Sequence, residues 1–183
     1  ENKLKGETNL FEDKKEKVLI SREEISNRVR EMGKEISNDY KGKDLVIVSL
    51  LRGSFIFTAD LAREMDIPVE IEFMTTASYG HAEISSGRVE ILQDIRGEIK
   101  GKSVLIVDDI IDSGHTLLKV MEHLEEREPA SIKICVMLDK PSRRQVDLMP
   151  DYVGYEIPDV FIVGYGLNYG DYYRNIPYIF TFE

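Results

Sequence analysis

Apolar residues recur at two periods along the chain, and the switches between those periods lay out its elements. In SREEISNRVREMGKEI (residues 21–36), Ile25, Val29, Met32 and Ile36 step along one helical face, and Ser21 with Glu24 has capping-box spacing. Gly42 closes that helix. LVIVSLL (45–51) is an unbroken apolar run of strand length, as expected of a strand buried on both faces. LRGS follows as a tight loop, and FIFTADLAREM (55–65) as a helix packing back on the sheet. Pro68 resets the chain, after which VEIEF (69–73) alternates apolar residues with glutamates, a period of two that suits a half-exposed strand. ASYGHAEISSG (77–87) has little hydrophobic signal and much Ser and Gly, which predicts a mobile functional loop. RVEIL (88–92) alternates again as its hairpin partner.

SVLIVDD (103–109) is the next buried strand, a helix begins at about His115 with Leu117, Val120, Met121 and Leu124 on one face, and IKICVML (132–138) is a further strand. Buried strands alternating with helices predict βαβ crossovers: an α/β fold with a mainly parallel central sheet flanked by helices. The tail, about 151–183, breaks this pattern with aromatics, glycines and short strands, and reads as an appended hood. Residues 1–15 are polar and read as a flexible N-terminal segment, so the expectation is one domain over 1–183.

Composition narrows the function classes. The chain has 34 acidic and 24 basic residues, a net charge of −10, and no Lys/Arg run that would form an electrostatic footprint for nucleic acid. No apolar run reaches bilayer length, so no membrane partner is expected. The single cysteine, Cys135, lies in an apolar strand segment, which fits a buried, inert thiol in a reducing, cytoplasmic protein.

The chemistry concentrates in VLIVDDIIDSGHTL (104–117), where Asp108, Asp109 and Asp112 gather at the end of an apolar strand and the chain turns on Ser113-Gly114. In open α/β sheets, ligands bind beyond the carboxyl ends of strands. Ser113, Gly114 and Thr116 lead into a helix whose first amides lack partners, a terminus suited to phosphate. The aspartates would repel that phosphate and should face sugar hydroxyls, a divalent cation, or a base that must lose a proton. Asp112-Ser113-Gly114 also matches the short aspartic-protease signature, which requires a second copy and an all-β fold. A calcium-loop reading fails because Ile110 or Ile111 falls on a ligand position. Simple capping of the following helix by Asp112 and Ser113, worth about 1 kcal/mol, leaves Asp108 and Asp109 unexplained.

The same stretch closely resembles the phosphoribosyl-pyrophosphate signature of type I phosphoribosyltransferases: a hydrophobic strand, two acids, two apolar residues, then Asp-Ser/Thr-Gly-x-Thr. SLLRGSFIFTADL, FMTTASYG and the tail DKPSRR with DYVGYEIPDVFIVGYGLNYGDYYRN are similar to the bacterial hypoxanthine(-guanine) branch of that family. The resemblance implies the type I phosphoribosyltransferase fold with a small hood formed largely by the C-terminal segment. It also implies transfer of 5-phosphoribosyl from phosphoribosyl pyrophosphate to N9 of hypoxanthine or guanine, with Mg2+, giving IMP or GMP and pyrophosphate. The family forms homodimers and homotetramers.

By that resemblance Asp112 takes the purine N7 proton, and Ser113, Gly114, His115 and Thr116 cradle the 5′-phosphate, His115 through its backbone. Asp108 and Asp109 hold ribose hydroxyls directly or through magnesium, which needs few protein carboxylates. Arg52 and Gly53 lie under the pyrophosphate on a turn that carries a non-proline cis peptide at Leu51–Arg52, and Arg174 binds the same group. Lys140 donates to the purine O6, Phe161 stacks on the base and Ile162 reads its edge through backbone groups. Ser78 and Tyr79 belong to a lid that excludes water.

Two positions depart from the family pattern. Asp108 stands where the family usually has Glu, one methylene longer. Asn168 stands where the family has an aspartate that helps hold a second magnesium and touches the purine through its backbone; the lost charge predicts weaker occupancy of that second site, with purine recognition retained. Two alternatives accompany the enzyme reading. One is a phosphoribosyltransferase-like regulator, which would want a basic face; the other is an enzyme that prefers xanthine or guanine.

Overall fold

The computed structural model describes residues 14–79 and 88–183. Its elements, in chain order, are β1 (Glu16–Ile20), α1 (Arg22–Asp39), β2 (Leu45–Leu51), α2 (Phe55–Arg63), β3 (Val69–Tyr79), β4 (Arg88–Gln93), β5 (Ser103–Ile111), α3 (His115–Glu125), β6 (Ser131–Asp139), a 3-10 turn (Pro141–Arg143), β7 (Tyr152–Glu156) and β8 (Ile179–Phe182).

A six-stranded sheet runs β4-β3-β2-β5-β6-β7. β3, β2, β5, β6 and β7 are parallel, and β4 closes one edge antiparallel to β3. The central strands are apolar throughout because both faces are covered. On β2, Leu45 and Ile47 enter the core beneath α1 and α2, whereas Val46, Val48 and Leu50 enter the core beneath α3. On β5 the same alternation sends Leu105 and Val107 one way and Val104 and Ile106 the other.

Helix α1 starts at the expected capping box: Glu24 N donates to Ser21 Oγ at 3.1 Å and Ser21 N donates to Glu24 Oε2 at 2.7 Å. Its buried face is Ile25, Val29, Met32, Gly33 and Ile36. Gly33 belongs there because a Cβ would approach Glu64 Cβ, just past α2, to 2.7 Å.

The structure revises the expected elements in three places. β5 does not stop at Asp109 but pairs with β6 through Ile111, while β2 stays beside it only as far as Val107. Asp108 and Asp109 therefore lie within the strand, on the stretch that has lost one neighbour. β3 continues past Phe73 to Tyr79, because pairing of Thr75 to Tyr79 with β4 sustains a segment whose apolar alternation has lapsed. Ser78 and Tyr79 thus close a hairpin as strand residues, and residues 80–87 of the expected loop lie outside the described residues. The tail does not begin as a hood, since β7 is the last strand of the main sheet.

β8 instead pairs antiparallel with β1, which carries only Val18, Leu19 and Ile20 as apolar signal. The second sheet so joins the two ends of the described chain. Phe180, Phe182, Tyr169 and Tyr173 pack edge to face over it, with ring centroids 5.3 to 5.7 Å apart for the Phe180–Phe182, Tyr169–Phe182 and Tyr173–Phe180 pairs. No helix among the described residues is long and apolar enough to cross a membrane. Cys135 is buried and free, and burial pushes its thiol far above the ordinary range, as expected of an inert cysteine.

Candidate active site

The carboxyl ends of β2, β5 and β6 lie side by side in the sheet, and the segments that follow them carry most of the expected site residues. At the end of β2 the Leu51–Arg52 peptide is cis, as expected for LRGS. A chain of buried hydroxyls holds this turn: Ser49 Oγ lies 2.8 Å from Ser54 Oγ and 2.7 Å from Thr58 Oγ1, and Ser54 Oγ donates to the Leu50 carbonyl at 2.5 Å. The turn lies directly on β5, because a Cβ on Gly53 would overlap the carboxylate of Asp109. From the other side Gly166 presses on it, in the left-handed region at φ +96°, where a Cβ would overlap the Gly53 carbonyl oxygen.

Arg52 shares an open groove of about 550 Å³ with Leu51, Phe55, Phe73, Asp171 and Arg174. Arg174 Nη1 donates to the Gly166 carbonyl at 2.7 Å, which anchors one edge of its guanidinium. Arg174, far from Arg52 and Gly53 in sequence, is thereby brought to the same turn. Asp171 was not expected in this groove.

Asp108 and Asp109 are adjacent, half-buried carboxylates. Asp109 N donates to Asp108 Oδ1 at 2.9 Å and Ile110 N donates to Asp109 Oδ1 at 2.8 Å. Burial, and then the charge of Asp109, hold the Asp108 carboxyl well above the ordinary carboxylate range; burial also raises Asp109, against the pull of Arg174. Two like charges held together at such a cost suit a cation. No cluster of three metal-ligating side chains occurs among the described residues, so any such ion would keep much of its shell as water or substrate oxygen.

The loop after β5 leads into α3 through Gly114, whose φ is +91° and which is itself the N-cap with no side-chain hydrogen bond. Asp112 thus caps nothing through its side chain, and Ser113 does so only through a long hydrogen bond, accepting from the first amide of the helix. Ser113 Oγ is 3.5 Å from His115 N, and the His115 ring points aside, with Nε2 2.9 Å from Gln145 Oε1. The turn after β6 is fastened to this loop: Lys140 N donates to the Ile111 carbonyl at 3.0 Å, and Gln145 N to the Ser113 carbonyl at 2.9 Å. Arg144 completes the clamp, donating to the Asp139 carboxylate, to the Leu148 carbonyl at 2.6 Å and to the Asp112 carbonyl at 3.2 Å.

Lys140 is only 8% exposed, so a solvated surface lysine is excluded. Its Nζ lies 3.7 Å from Asp159 Oδ1, and Arg143 stands between Asp159 Oδ2, 3.5 Å from Nη1, and Asp112 Oδ1, 3.0 Å from Nε. Phe161 is 58% exposed, which excludes a core role, and meets the Tyr169 ring edge-on at 5.8 Å. Ile162 beside it is buried. Asn168 is exposed and turns its amide nitrogen to the Gly170 carbonyl at 2.7 Å. Arg143, Asp159 and Tyr169 were missed from the sequence: DKPSRR, EIPD and LNYG are short loop stretches with no apolar periodicity.

Parallel sheet, acid pair, small-residue loop and buried lysine define a nucleotide-handling α/β transferase architecture. The sequence profile of the phosphoribosyl transferase domain matches residues 21–170, and the chain belongs to that family. A hypoxanthine phosphoribosyltransferase of Haemophilus influenzae is 53% identical over 165 residues, covering 88% of this chain and 92% of that protein. A hypoxanthine-guanine phosphoribosyltransferase of Aquifex aeolicus is 47% identical over 171 residues, covering 93% and 96%. The crystal structure of a hypoxanthine phosphoribosyltransferase from Staphylococcus aureus superposes with a TM-score of 0.88 at 44% identity, covering 91% of each chain.

Proposed function

We infer that this protein is a purine-salvage enzyme that transfers 5-phosphoribosyl from phosphoribosyl pyrophosphate to N9 of hypoxanthine, and of guanine as a second substrate, releasing pyrophosphate. The observation that carries the reading is the buried Lys140, whose backbone N–H is fastened to the Ile111 carbonyl beside the Asp112 loop. A fixed ammonium there pairs with the carbonyl of a 6-oxopurine, whereas the amino group of adenine would present donor to donor.

The residues divide the work by charge. Amides and hydroxyls of Ser113 to Thr116, at the start of α3, receive the 5′-phosphate. Arg52, the Gly53 backbone and Arg174 receive the pyrophosphate, where planar guanidinium groups make paired hydrogen bonds. Asp108 and Asp109 face the ribose hydroxyls and would hold Mg2+, which when bound neutralises pyrophosphate oxygens. As the C1′–O bond breaks, its electron pair leaves with pyrophosphate; N9 supplies the pair for the new C1′–N9 bond. Asp112 accepts the N7 proton and its charge faces the cationic sugar. Phe161 stacks on the base, backbone groups of Ile162 and Asn168 read its edge, and Ser78 and Tyr79 cover the centre against water.

Incubating the protein with magnesium, phosphoribosyl pyrophosphate and hypoxanthine, guanine, xanthine or adenine in turn tests the assignment; IMP and GMP are the expected products, and AMP formation would overturn the role of Lys140. Asp112→Asn is expected to lower turnover by roughly 10²-fold or more while sparing phosphoribosyl-pyrophosphate binding. Phe55 and Phe73, each 44% exposed at one groove, and Ile71, 40% exposed on the same face of β3, suit coverage by a second copy of the chain, so a homo-oligomer belongs to this reading. A cytoplasmic location belongs to the same reading, because the charged substrates do not cross a membrane unaided.

A further inference from the structure

Asp112 presents its carboxylate to the cleft with one oxygen already occupied. Arg143 Nε donates to Oδ1 at 3.0 Å, and among the described residues no other side chain donates to that carboxylate. The guanidinium then reaches Asp159 Oδ2 at 3.5 Å, and Asp159 Oδ1 lies 3.7 Å from Lys140 Nζ. Four charges of alternating sign so connect the group assigned to the purine N7 with the group assigned to O6. They come from three separate segments: the loop after β5, the turn after β6 and the stretch after β7.

We propose that Arg143 is a positioning residue for the transfer: holding Oδ1 of Asp112 fixes that side chain with Oδ2 turned to the purine N7 proton, while Asp159 balances the guanidinium. The proposal rests on Asp112 being the proton acceptor. A carboxylate only accepts, through two oxygens, so a donor fixed on one determines where the other points. A lone cation against the acceptor would oppose proton uptake, and Asp159 on the far side of the guanidinium offsets that opposition. Arginine suits the position because its Nε and Nη1 diverge in one rigid plane and can meet two carboxylates, whereas an ammonium is a point charge. Asp112, Arg143 and Asp159 side chains are 44%, 51% and 51% exposed, so these pairs add little to folding and their loss should register in the chemistry.

The test is a double-mutant cycle on IMP synthesis. Arg143→Ala should lower kcat roughly 10-fold, in line with the cost of a misplaced reacting group, with KM for hypoxanthine and for phosphoribosyl pyrophosphate changed less than about threefold and the melting temperature nearly unchanged. Guanidinium ion added to Arg143→Ala should restore part of kcat, Arg143→Lys should restore less, and in the Asp112→Asn background Arg143→Ala should cost nothing further. Wild-type kcat in Arg143→Ala, or a loss that adds in full to that of Asp112→Asn, overturns the proposal and leaves Asp112 as the base. Wild-type turnover in Asp112→Asn removes the base assignment itself, and the proposal with it.

Discussion

Gly53 and Asp109 meet so closely that a side chain on the glycine would occupy the place of the carboxylate. The turn after β2 and the acid pair on β5 are thus one rigid unit, joined at the point where β2 ends and β5 continues. Gly53→Ala must rotate Asp109 or lift the turn. Overpacking of this kind costs about 1–3 kcal/mol, and a displacement near 1 Å costs on the order of 10²-fold in rate. The expected result is a modest drop in melting temperature with a far larger fall in kcat/KM for phosphoribosyl pyrophosphate. Equal, small losses in both would separate the turn from the chemistry.

The raised carboxyls of Asp108 and Asp109 make a statement about pH. Above the ordinary carboxylate pKa the unfolded chain has released protons that the folded protein still holds, so folding stability falls as pH rises through this window. Asp108→Asn removes the like-charge contact and should raise the melting temperature of the ligand-free protein at pH 8 more than at pH 5. A cation binds the deprotonated pair, so stabilisation by magnesium with phosphoribosyl pyrophosphate should be larger at pH 8 than at pH 5.5, and this pH dependence should shrink in Asp108→Asn. The variant controls for titration of the ligand itself.

Arg144 ties three backbone and side-chain acceptors of different segments together, with its side chain 14% and that of Asp139 13% exposed. Arg144→Met leaves Asp139 without its cation, and loss of one partner from such a pair costs about 3–5 kcal/mol. A variant carrying both Arg144→Met and Asp139→Leu should recover much of that stability, yet stay slow, because the Asp112 carbonyl would still lack the Arg144 donor. Thermal melts and turnover measured on the single and double variants separate the two effects.

How much of this was legible beforehand differs by element. The runs LVIVSLL and SVLIV announced β2 and β5 because burial on both faces demands apolar residues at every position. The acids of the site were legible for the complementary reason, since Asp108 and Asp109 interrupt such a run without a cap or turn to justify them. β1 was not, because its pairing with β8 depends on a partner at the other end of the chain. The continuation of β3 through Tyr79 was hidden likewise, carried by ladder hydrogen bonds to β4 that no side-chain pattern records. Lys140 was read from its motif, but its burial comes from the surrounding fold. Arg143 and Asp159 had no signal of their own, since they acquire meaning only when the 3-10 turn brings Arg143 to Asp112 and the stretch after β7 brings Asp159 to Arg143.

Asn168 is one of the two positions expected to depart from the family pattern, and the local geometry gives its side chain a structural role. Its amide nitrogen donates to the Gly170 carbonyl at 2.7 Å, closing the turn that precedes Arg174. An aspartate has no donor to offer there and would set a carboxylate oxygen against the carbonyl, loosening the turn while adding a charge at the cleft. Asn168→Asp should therefore have opposing consequences. The added charge favours a second cation, so half-saturation by magnesium should fall; the lost hydrogen bond should lower stability by about 1 kcal/mol. Magnesium titration of initial rates at saturating phosphoribosyl pyrophosphate, alongside a thermal melt without metal, measures the two independently. Identical half-saturation in the two proteins would show that position 168 does not contribute to a second magnesium site.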